Sequence, residues 1–266
     1  MKPEPHSSII DIEGVEHWFA GSHRGDAVKA VDKVNLRIME GEFVAIVGPS
    51  GCGKTTLLNL VAGLDKPTRG KVRVSNLDVT GVQPRLIGYM VSQDTLLPWR
   101  TALANVEFGL ANSKSKEAKE RAKSCLDLVG LQGFENHYPD QLSHGMKQRV
   151  ALARTLVGSP KILLMDEPFG ALDAQTKLLL AIEFLHIWET ERKTIAFVTH
   201  DLSEAIAMAD RVIVMSARPC RIVSEYRIGL DRPRDLEALR SEPEFVNLLQ
   251  KLWIDLKRGN VKRAIQ

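Results

Sequence analysis

A glycine-rich segment that ends in a lysine and two threonines carries the clearest chemistry in this sequence. Its glycines let the backbone turn tightly and bring N–H groups against phosphate oxygens. The lysine can reach the β- and γ-phosphates of a triphosphate, and the first threonine hydroxyl can ligate Mg²⁺. The residues of this phosphate loop are Gly48, Pro49, Ser50, Gly51, Cys52, Gly53, Lys54, Thr55 and Thr56. The sequence therefore predicts a site for a triphosphate with its metal ion.

Elements on both sides of the phosphate loop would hold it in place. Residues 42–47 form an apolar run typical of a buried strand, and residues 54–64 have the pattern of a helix. A helix N-terminus has free N–H groups and partial positive charge, so it favours an anion. This order of strand, loop and helix is the context that the phosphate interpretation requires.

Two acidic residues follow a second apolar run at residues 162–165. Open α/β sheets bind ligands at the carboxyl ends of buried parallel strands, so Asp166 and Glu167 would lie at such an edge. Adjacent strand residues point in opposite directions, so the two acids can serve different atoms. Asp166 would hold the metal shell opposite Thr55, and Glu167 would orient or deprotonate the attacking water. Two solvated acids at a strand end are the alternative.

A third candidate site begins at Ser143, just before a helix predicted over residues 146–157. A hydroxyl and N–H groups at a helix N-terminus, next to Gly145, could bind a second anion. A serine at such a position is by itself more often a simple helix cap. The order of this segment among the other motifs is what favours an anion site over a simple cap.

Composition narrows the class of protein. The chain has 266 residues, a net charge of +3 and no long run of like charge, so nucleic acid is not an expected partner. Its three cysteines form no CxxC pair, which argues against a disulfide framework or a zinc site and fits a reducing cytosol. The start of the chain shows no leader pattern, and no apolar run approaches the ~20 residues of a membrane span. Membrane contact is therefore expected only through a partner.

The order of predicted elements indicates an α/β fold with a helical insertion. Strand-like alternation near the start predicts an antiparallel edge. A run of helices interrupts the strands, and strand and helix then alternate again, which implies a parallel sheet. The predicted strands cover residues 9–12, 34–38, 42–47, 70–75, 87–91, 161–165, 194–199, 211–215 and 221–228, and the predicted helices cover residues 54–64, 101–111, 116–129, 146–157, 174–191, 203–209 and 242–257.

In this order, the motifs resemble those of the ATP-binding cassette ATPases, and the resemblance covers nearly the whole chain. The matching segments are the phosphate loop, Gln93, and residues 142–146, 162–168, 170–173 and 199–200. The resemblance implies ATP and Mg²⁺ as bound molecules. It also implies a P-loop NTPase (RecA-like) core with an antiparallel β edge subdomain and an inserted α-helical subdomain. The expected single nucleotide-binding domain then has its ATPase core at residues 1–93 and 161–230, a helical subdomain at residues 94–160 and a short helical tail at residues 231–266.

The same resemblance implies a head-to-tail dimer in which two ATP molecules lie between two copies of the chain. Ser143 and Gly145 of one copy would touch the ATP that the other copy binds. Asp173 would cross the interface between the copies. The second copy is therefore an expected partner.

The resemblance also implies roles for individual residues around ATP. Gln93 would join the metal and water site to the helical insertion, and His200 would contact the γ-phosphate. Phe19 matches the placement of the aromatic residue that stacks on adenine, although Trp18 competes with it. The expected catalytic residues are then Glu167, His200, Gln93 and Lys54, and the expected metal ligands are Thr55, Gln93 and Asp166.

The signature segment departs from the family pattern at two residues. His144 stands where the family has its first glycine, and Met146 stands where glutamine is common. Glycine accepts a left-handed backbone freely, and histidine is among the residues moderately enriched at positive φ. The substitution therefore predicts a turn with positive φ at His144.

Residues 91–101 and 105–106 resemble the ATPase subunits of nitrate, sulfonate and taurine-type bacterial importers. Leu96, Leu97 and Trp99 would floor a groove for a short helix of a membrane subunit, or they belong to the local core. The resemblance implies uptake of a small solute through a separate membrane permease. The chain would then work at the cytoplasmic face of the membrane, with an external solute-binding protein as an indirect partner.

Three other functions are open to a chain with a phosphate loop. The first is a soluble cassette ATPase that acts on nucleic acid or the ribosome. Proteins of that kind have paired ATPase units or longer chains, whereas this sequence has a single ATPase unit and no coiled coil. A regulatory nucleotide binder would not need Glu167 and His200. A small-molecule kinase would not explain residues 142–146.

Overall fold

The computed structural model describes residues 7–20, 27–91, 95–110, 115–170 and 172–261. The chain divides into two compact units, a first unit of residues 1–83 and 192–266 and a second unit of residues 84–191. The strands are β1 (Ser8–Ala20), β2 (Ala27–Met39), β3 (Phe43–Val47), β4 (Arg69–Val74), β5 (Leu77–Asp78), β6 (Ile87–Met90), β7 (Ile162–Asp166), β8 (Thr194–Thr199), β9 (Arg211–Met215) and β10 (Ile222–Arg227). The α-helices are α1 (Lys54–Ala62), α2 (Ala102–Phe108), α3 (Lys116–Leu128), α4 (His144–Leu156), α5 (Ala174–Glu191), α6 (Leu202–Met208) and α7 (Pro243–Val261). The bounds of the predicted subdomains stay a prediction.

An antiparallel sheet in the first unit has the strand order β2-β1-β4-β5. Its two long strands, β1 and β2, have 13 residues each and pair with Ile10 opposite Ile38. Directly opposed residues of paired strands point to the same face of the sheet, and both isoleucines are buried on that face. The register shifts between Ile12 and Val15, so the alternation breaks in the middle of the strands. For this reason the sequence pattern predicted only a short piece of each strand.

Four further strands of the first unit pair in the order β10-β9-β3-β8. Strand β3 runs parallel to both β8 and β9, and β10 is antiparallel to β9. All residues of β3 and β8 are buried, which is typical of strands covered on both faces. Val47 pairs with Thr199 on β8 and with Val214 on β9, so these three strands end at one edge. The predicted parallel sheet is thus confirmed.

The second unit contains one pair of parallel strands and the helical part of the fold. Strands β6 and β7 pair with Met90 opposite Met165. Helices α2, α3 and α4 pack on one another. Their N-terminal caps are Thr101, Ser115 and Ser143, whose hydroxyl oxygens each accept a hydrogen bond from a backbone N–H three residues further along. The apolar side chains that these helices bury include Val106, Ala122, Leu126, Val150 and Leu152.

The tail helix α7 belongs to the first unit and packs on β9 and β10. Phe245 and Leu252 are buried side chains of this helix. The Tyr226 hydroxyl of β10 donates to Asp255 at 2.6 Å, which attaches the helix to the sheet. Like the other helices in the described ranges of the chain, α7 is too short or too polar to cross a lipid bilayer.

Candidate active site

The phosphate loop connects β3 to α1 in the first unit, and two of its glycines are at positive φ. Gly51 has φ of 67° and Gly53 has φ of 125°, values that favour glycine. A Cβ added at Gly53 would lie 2.8 Å from the Ala30 carbonyl oxygen of β2, which is too close for any side chain. The loop therefore needs glycine at position 53 for its conformation and for its contact with the antiparallel sheet.

The N-terminus of α1 has the properties of an anion site. Gly53 is the N-cap and has no side chain to accept hydrogen bonds from the first turn. Helices α2, α4 and α6 differ, because Thr101, Ser143 and Asp201 accept such bonds at their N-termini. A phosphate oxygen can take the place of the missing cap, so the residues present here fit a phosphate group.

Lys54 is folded back onto the phosphate loop. The side chain is only 5% exposed. Its Nζ donates hydrogen bonds to the Gly48 carbonyl oxygen at 2.8 Å and to the Pro49 carbonyl oxygen at 2.9 Å. Carbonyl dipoles carry less than a full negative charge, so a phosphate group beside the loop would complete the charge balance of the buried ammonium.

The remaining loop residues divide into buried and accessible ones. Ser50, Gly51 and Thr55 are exposed, and Thr56 is half-buried on α1. The Cys52 side chain is buried, and burial raises the pKa of its thiol. The thiol therefore stays protonated at neutral pH and serves as a small packing residue.

His200 and the phosphate loop follow neighbouring parallel strands of the first unit. Val47 at the end of β3 pairs with Thr199 at the end of β8. Gly48 and His200 are the next residues on their strands, so both begin their segments at the same sheet edge. The His200 side chain is exposed. The structure thus brings together two of the predicted ATP contacts.

Phe19 and Trp18 differ in their surroundings near the end of β1. The Trp18 ring lies 4.5 Å from Lys29 Nζ and 5.7 Å from the Arg69 guanidinium, so its faces are occupied by cations. Phe19 is 43% exposed and pairs with Val28. Phe19 is the more exposed of the two, and the His17 ring packs against it edge to face, with 4.8 Å between ring centroids.

The two acids of the second unit do not continue one strand. Asp166 is the last residue of β7 and is only 2% exposed. Glu167 has φ of 49°, in the left-handed region, and its carbonyl oxygen accepts a hydrogen bond from Gly170 N at 3.0 Å. Glu167 therefore lies in a turn after β7, so the predicted alternation of adjacent strand residues does not apply to this pair.

The signature segment of the second unit begins with a helix cap. The Ser143 hydroxyl accepts a hydrogen bond from Met146 N at 3.3 Å, and His144 is the first residue of α4. His144 does not belong to the described residues with positive φ, so the predicted turn at this position is wrong. The serine cap allows the helix to begin at once, and α-helical φ suits any side chain.

Gly145 packs against the segment that carries Asp173. A Cβ added at Gly145 would lie 3.0 Å from Leu172 Cδ2 and 3.6 Å from Thr176 Cγ2. Asp173 is exposed and accepts a hydrogen bond from Thr176 N at 3.0 Å. Hydrogen bonds from Thr176 lower the pKa of this carboxyl, so it is charged at neutral pH. The second unit thus brings the signature segment and Asp173 together.

Gln93 and Trp99 are two further predicted positions. Gln93 lies outside the described residues, so its predicted role stays a prediction. Trp99 is 71% exposed, so it does not belong to the local core.

Sequence reasoning missed the structural role of Asn105, a fully buried residue of α2. Its Nδ2 donates to the carbonyl oxygens of Leu97, Arg100 and Thr101 at 3.0–3.1 Å, and its Oδ1 accepts from Leu97 N at 2.8 Å. The amide therefore fixes the loop that carries Trp99. A polar residue among the buried positions of an amphipathic helix was the available signal.

Replacing Asn105 by leucine is expected to lower the free energy of unfolding by about 2–4 kcal/mol, because buried loop carbonyls and an N–H lose their partners. Urea unfolding followed by circular dichroism measures this change. Asn105→Asp keeps the shape and removes the donors, so it should also destabilise the protein. Gln132→Ala, at an exposed position of the same unit, is the matched control. Equal stability of Asn105→Leu and the control would contradict the role of this amide.

The site in the first unit defines a class of protein. A glycine-rich loop joins a buried parallel strand to a helix N-terminus that has no side-chain cap, and a buried lysine folds onto the loop. These are the features of P-loop nucleoside triphosphatases.

Comparison with known proteins narrows the class to a family. The family model described as "ABC transporter" matches residues 31–170. An uncharacterised ABC transporter ATP-binding protein of Methanocaldococcus jannaschii is 51% identical over 235 residues, which cover 88% of this chain and 86% of the relative. A nitrate import ATP-binding protein of Synechocystis is 46% identical over 250 residues, which cover 90% of this chain and 91% of the relative. An aliphatic sulfonates import ATP-binding protein of Bacillus cereus is 37% identical over 252 residues, which cover 95% of this chain and 97% of the relative.

A solved structure agrees with these relatives. It is a dimeric ATP-binding cassette in a post-hydrolysis state, bound to ADP and phosphate. Its sequence is 35% identical, and the match has a TM-score of 0.76 and covers 84% of this chain and 100% of that chain. The chain therefore belongs to the ABC transporter family. The predicted P-loop NTPase fold and the assignment as an ATPase that uses ATP and Mg²⁺ are confirmed.

Proposed function

We propose that this chain is the ATP-hydrolysing subunit of a bacterial-type importer for a small solute related to nitrate, sulfonates or taurine. The main support is the nitrate import relative, which aligns over 90% of this chain at 46% identity. A sulfonate import relative aligns over 95% of it. The alternative function on nucleic acid or the ribosome gains no support from these relatives.

Residues of the phosphate loop bind the triphosphate. The N–H groups at the start of α1, which have no side-chain cap, donate to phosphate oxygens, and Lys54 turns from the loop carbonyls toward the β- and γ-phosphates. Phe19 stacks on the adenine, in keeping with its exposed side chain.

Other residues act on the reaction itself. Mg²⁺, when bound, neutralises charge on the phosphate oxygens. Thr55, Asp166 and Gln93 are its proposed ligands, since hydroxyl, carboxylate and amide oxygens suit this ion. Glu167 orients the attacking water or accepts its proton, and His200 contacts the γ-phosphate.

A second copy of the chain completes the ATP site in this proposal. Ser143 and Gly145 of one copy contact the ATP of the other, and Asp173 lies at the interface. The dimeric cassette structure supports this arrangement. The two copies are then held together more tightly while the γ-phosphate is present, and its loss shifts the pair toward the open state.

The chain acts at the cytoplasmic face of the membrane, because the importer relatives imply permease subunits as partners. The loop around Trp99 offers an exposed apolar side chain to such a subunit. An external solute-binding protein is the indirect partner.

The dimer proposal is tested by the dependence of ATP hydrolysis on protein concentration. Phosphate release per molecule should rise with concentration, because each ATP needs residues of two copies. Ser143→Ala should lower the rate at saturating concentration by about tenfold, the effect of one lost hydrogen bond to a charged group. Ser124→Ala, on the exposed side of α3, is the control. A rate per molecule that depends on neither dilution nor Ser143 would refute the shared site.

A further inference from the structure

The turn that carries His200 is hydrogen-bonded on both sides of this residue. Thr199, which precedes it, is only 2% exposed, and its hydroxyl donates to a carboxylate oxygen of Glu204 on α6. The same hydroxyl oxygen accepts a hydrogen bond from Asp201 N at 3.0 Å. The residues before and after His200 are therefore joined through one hydroxyl group.

The carboxylate of Asp201 closes this network from the other side. It accepts hydrogen bonds from Ser203 N at 2.9 Å and from Glu204 N at 3.2 Å, and so caps α6. Glu204 thus contacts the turn twice, by its N–H to Asp201 and by its carboxylate to Thr199. These bonds form a closed ring that runs from the end of β8 to the first turn of α6.

The ring leaves His200 with a fixed backbone and an exposed side chain. Strand β8 is fixed in turn by β3, where Val47 pairs with Thr199. A side chain on a rigid backbone is already in position, so little conformational entropy is lost when it contacts the reacting group. Thr199 belongs to the strand end and Asp201 to the helix cap. Glu204 contacts both, because its carboxylate accepts from the Thr199 hydroxyl and its backbone N–H donates to Asp201.

We propose that Glu204 is a positioning residue for His200 during ATP hydrolysis. The inference rests on the proposed role of His200 as a contact of the γ-phosphate. Glu204 acts by accepting the hydrogen bond of the Thr199 hydroxyl. The carboxylate charge is not needed for this, because an amide oxygen accepts the same bond.

The test compares steady-state ATP hydrolysis of the full chain and its variants. Glu204→Ala should lower kcat by about 10- to 100-fold, the cost of a misplaced catalytic contact, and leave the KM for ATP within about twofold. Glu204→Gln should keep kcat within about threefold, because the acceptor oxygen remains. Thr199→Val breaks the same bond from the other side and should lower kcat as Glu204→Ala does. Ser203→Ala is the control on α6, since only its backbone N–H takes part in the ring.

A double-mutant cycle separates positioning from a general structural effect. If Glu204 acts through His200, adding Glu204→Ala to a His200→Ala variant should not lower kcat further. An equal loss of kcat in both backgrounds would overturn the inference, and so would an unchanged kcat in both Glu204→Ala and Thr199→Val. If His200→Ala itself keeps full kcat, the proposed role of His200 fails and the inference fails with it. If His200→Ala lowers kcat while Glu204→Ala and Thr199→Val leave kcat unchanged, the inference about Glu204 is overturned and the proposed role of His200 stands.

Discussion

Replacing Glu167 by glutamine is expected to lower ATP turnover by at least about a hundredfold, the usual contribution of a general base. Glutamine has the same shape and can occupy the left-handed turn that Gly170 N stabilises through the carbonyl oxygen of residue 167. It cannot accept the proton of the attacking water. Phosphate release at saturating ATP and Mg²⁺ measures the loss.

The same variant should keep ATP bound and so stabilise the dimer. Sedimentation velocity of Glu167→Gln with ATP and Mg²⁺ should show a dimer, whereas the variant without nucleotide should not. Glu120→Gln, at an exposed position of α3, is the matched control and should hydrolyse ATP at the normal rate. Normal turnover of Glu167→Gln would remove Glu167 from the catalytic residues, and a monomer with ATP would contradict the proposed dimer.

Replacing Lys54 by alanine should instead weaken ATP binding by about 10- to 100-fold. The reason is the loss of charge-assisted hydrogen bonds to phosphate, each contributing about 1.5–3 kcal/mol. Isothermal titration calorimetry with ATP measures the change in Kd. Lys71→Ala, at an exposed position of β4 in the same unit, removes one positive charge elsewhere and serves as the control.

Lys54 also bonds to the loop itself, so its loss could alter the loop. Lys54→Arg keeps a donor for the Gly48 carbonyl oxygen, and unfolding curves of both variants show whether the fold is retained. ATP affinity equal to that of Lys71→Ala in a folded Lys54→Ala protein would contradict the assignment of the phosphate loop.

Several strands and helices could be predicted because each depends on a pattern within a short stretch of sequence. The bounds of β8, β9 and α5 agree with the predicted residues 194–199, 211–215 and 174–191. Buried strands are continuous apolar runs in the sequence, and helices have their own period. The long strands β1 and β2 were underpredicted, because register shifts and the positive φ of Lys33 interrupt their alternation.

For the candidate site, the sequence indicated residue types and only part of the geometry. The phosphate loop follows β3 and Asp166 ends β7, and the sequence marks both strand ends. The conformation of Glu167 depends on a turn that no sequence pattern specifies. Helix α4 begins directly at His144, without a turn of positive φ, because Ser143 caps it. The contacts of Asn105 and Glu204 involve groups that only the folded chain brings within hydrogen-bonding distance.

The pairing of Val47 with Thr199 constrains how this chain can vary in length. A residue inserted into β3 or β8 would shift one strand against the other and turn its alternate side chains to the opposite face. Such an insertion would also separate the starting points of the phosphate loop and the His200 turn. The hairpin at Ser75 and Asn76, where both residues have positive φ, lies outside this ladder. Natural length differences among related chains should therefore accumulate at such hairpins and avoid the two strands that set the spacing of the phosphate loop and the His200 turn.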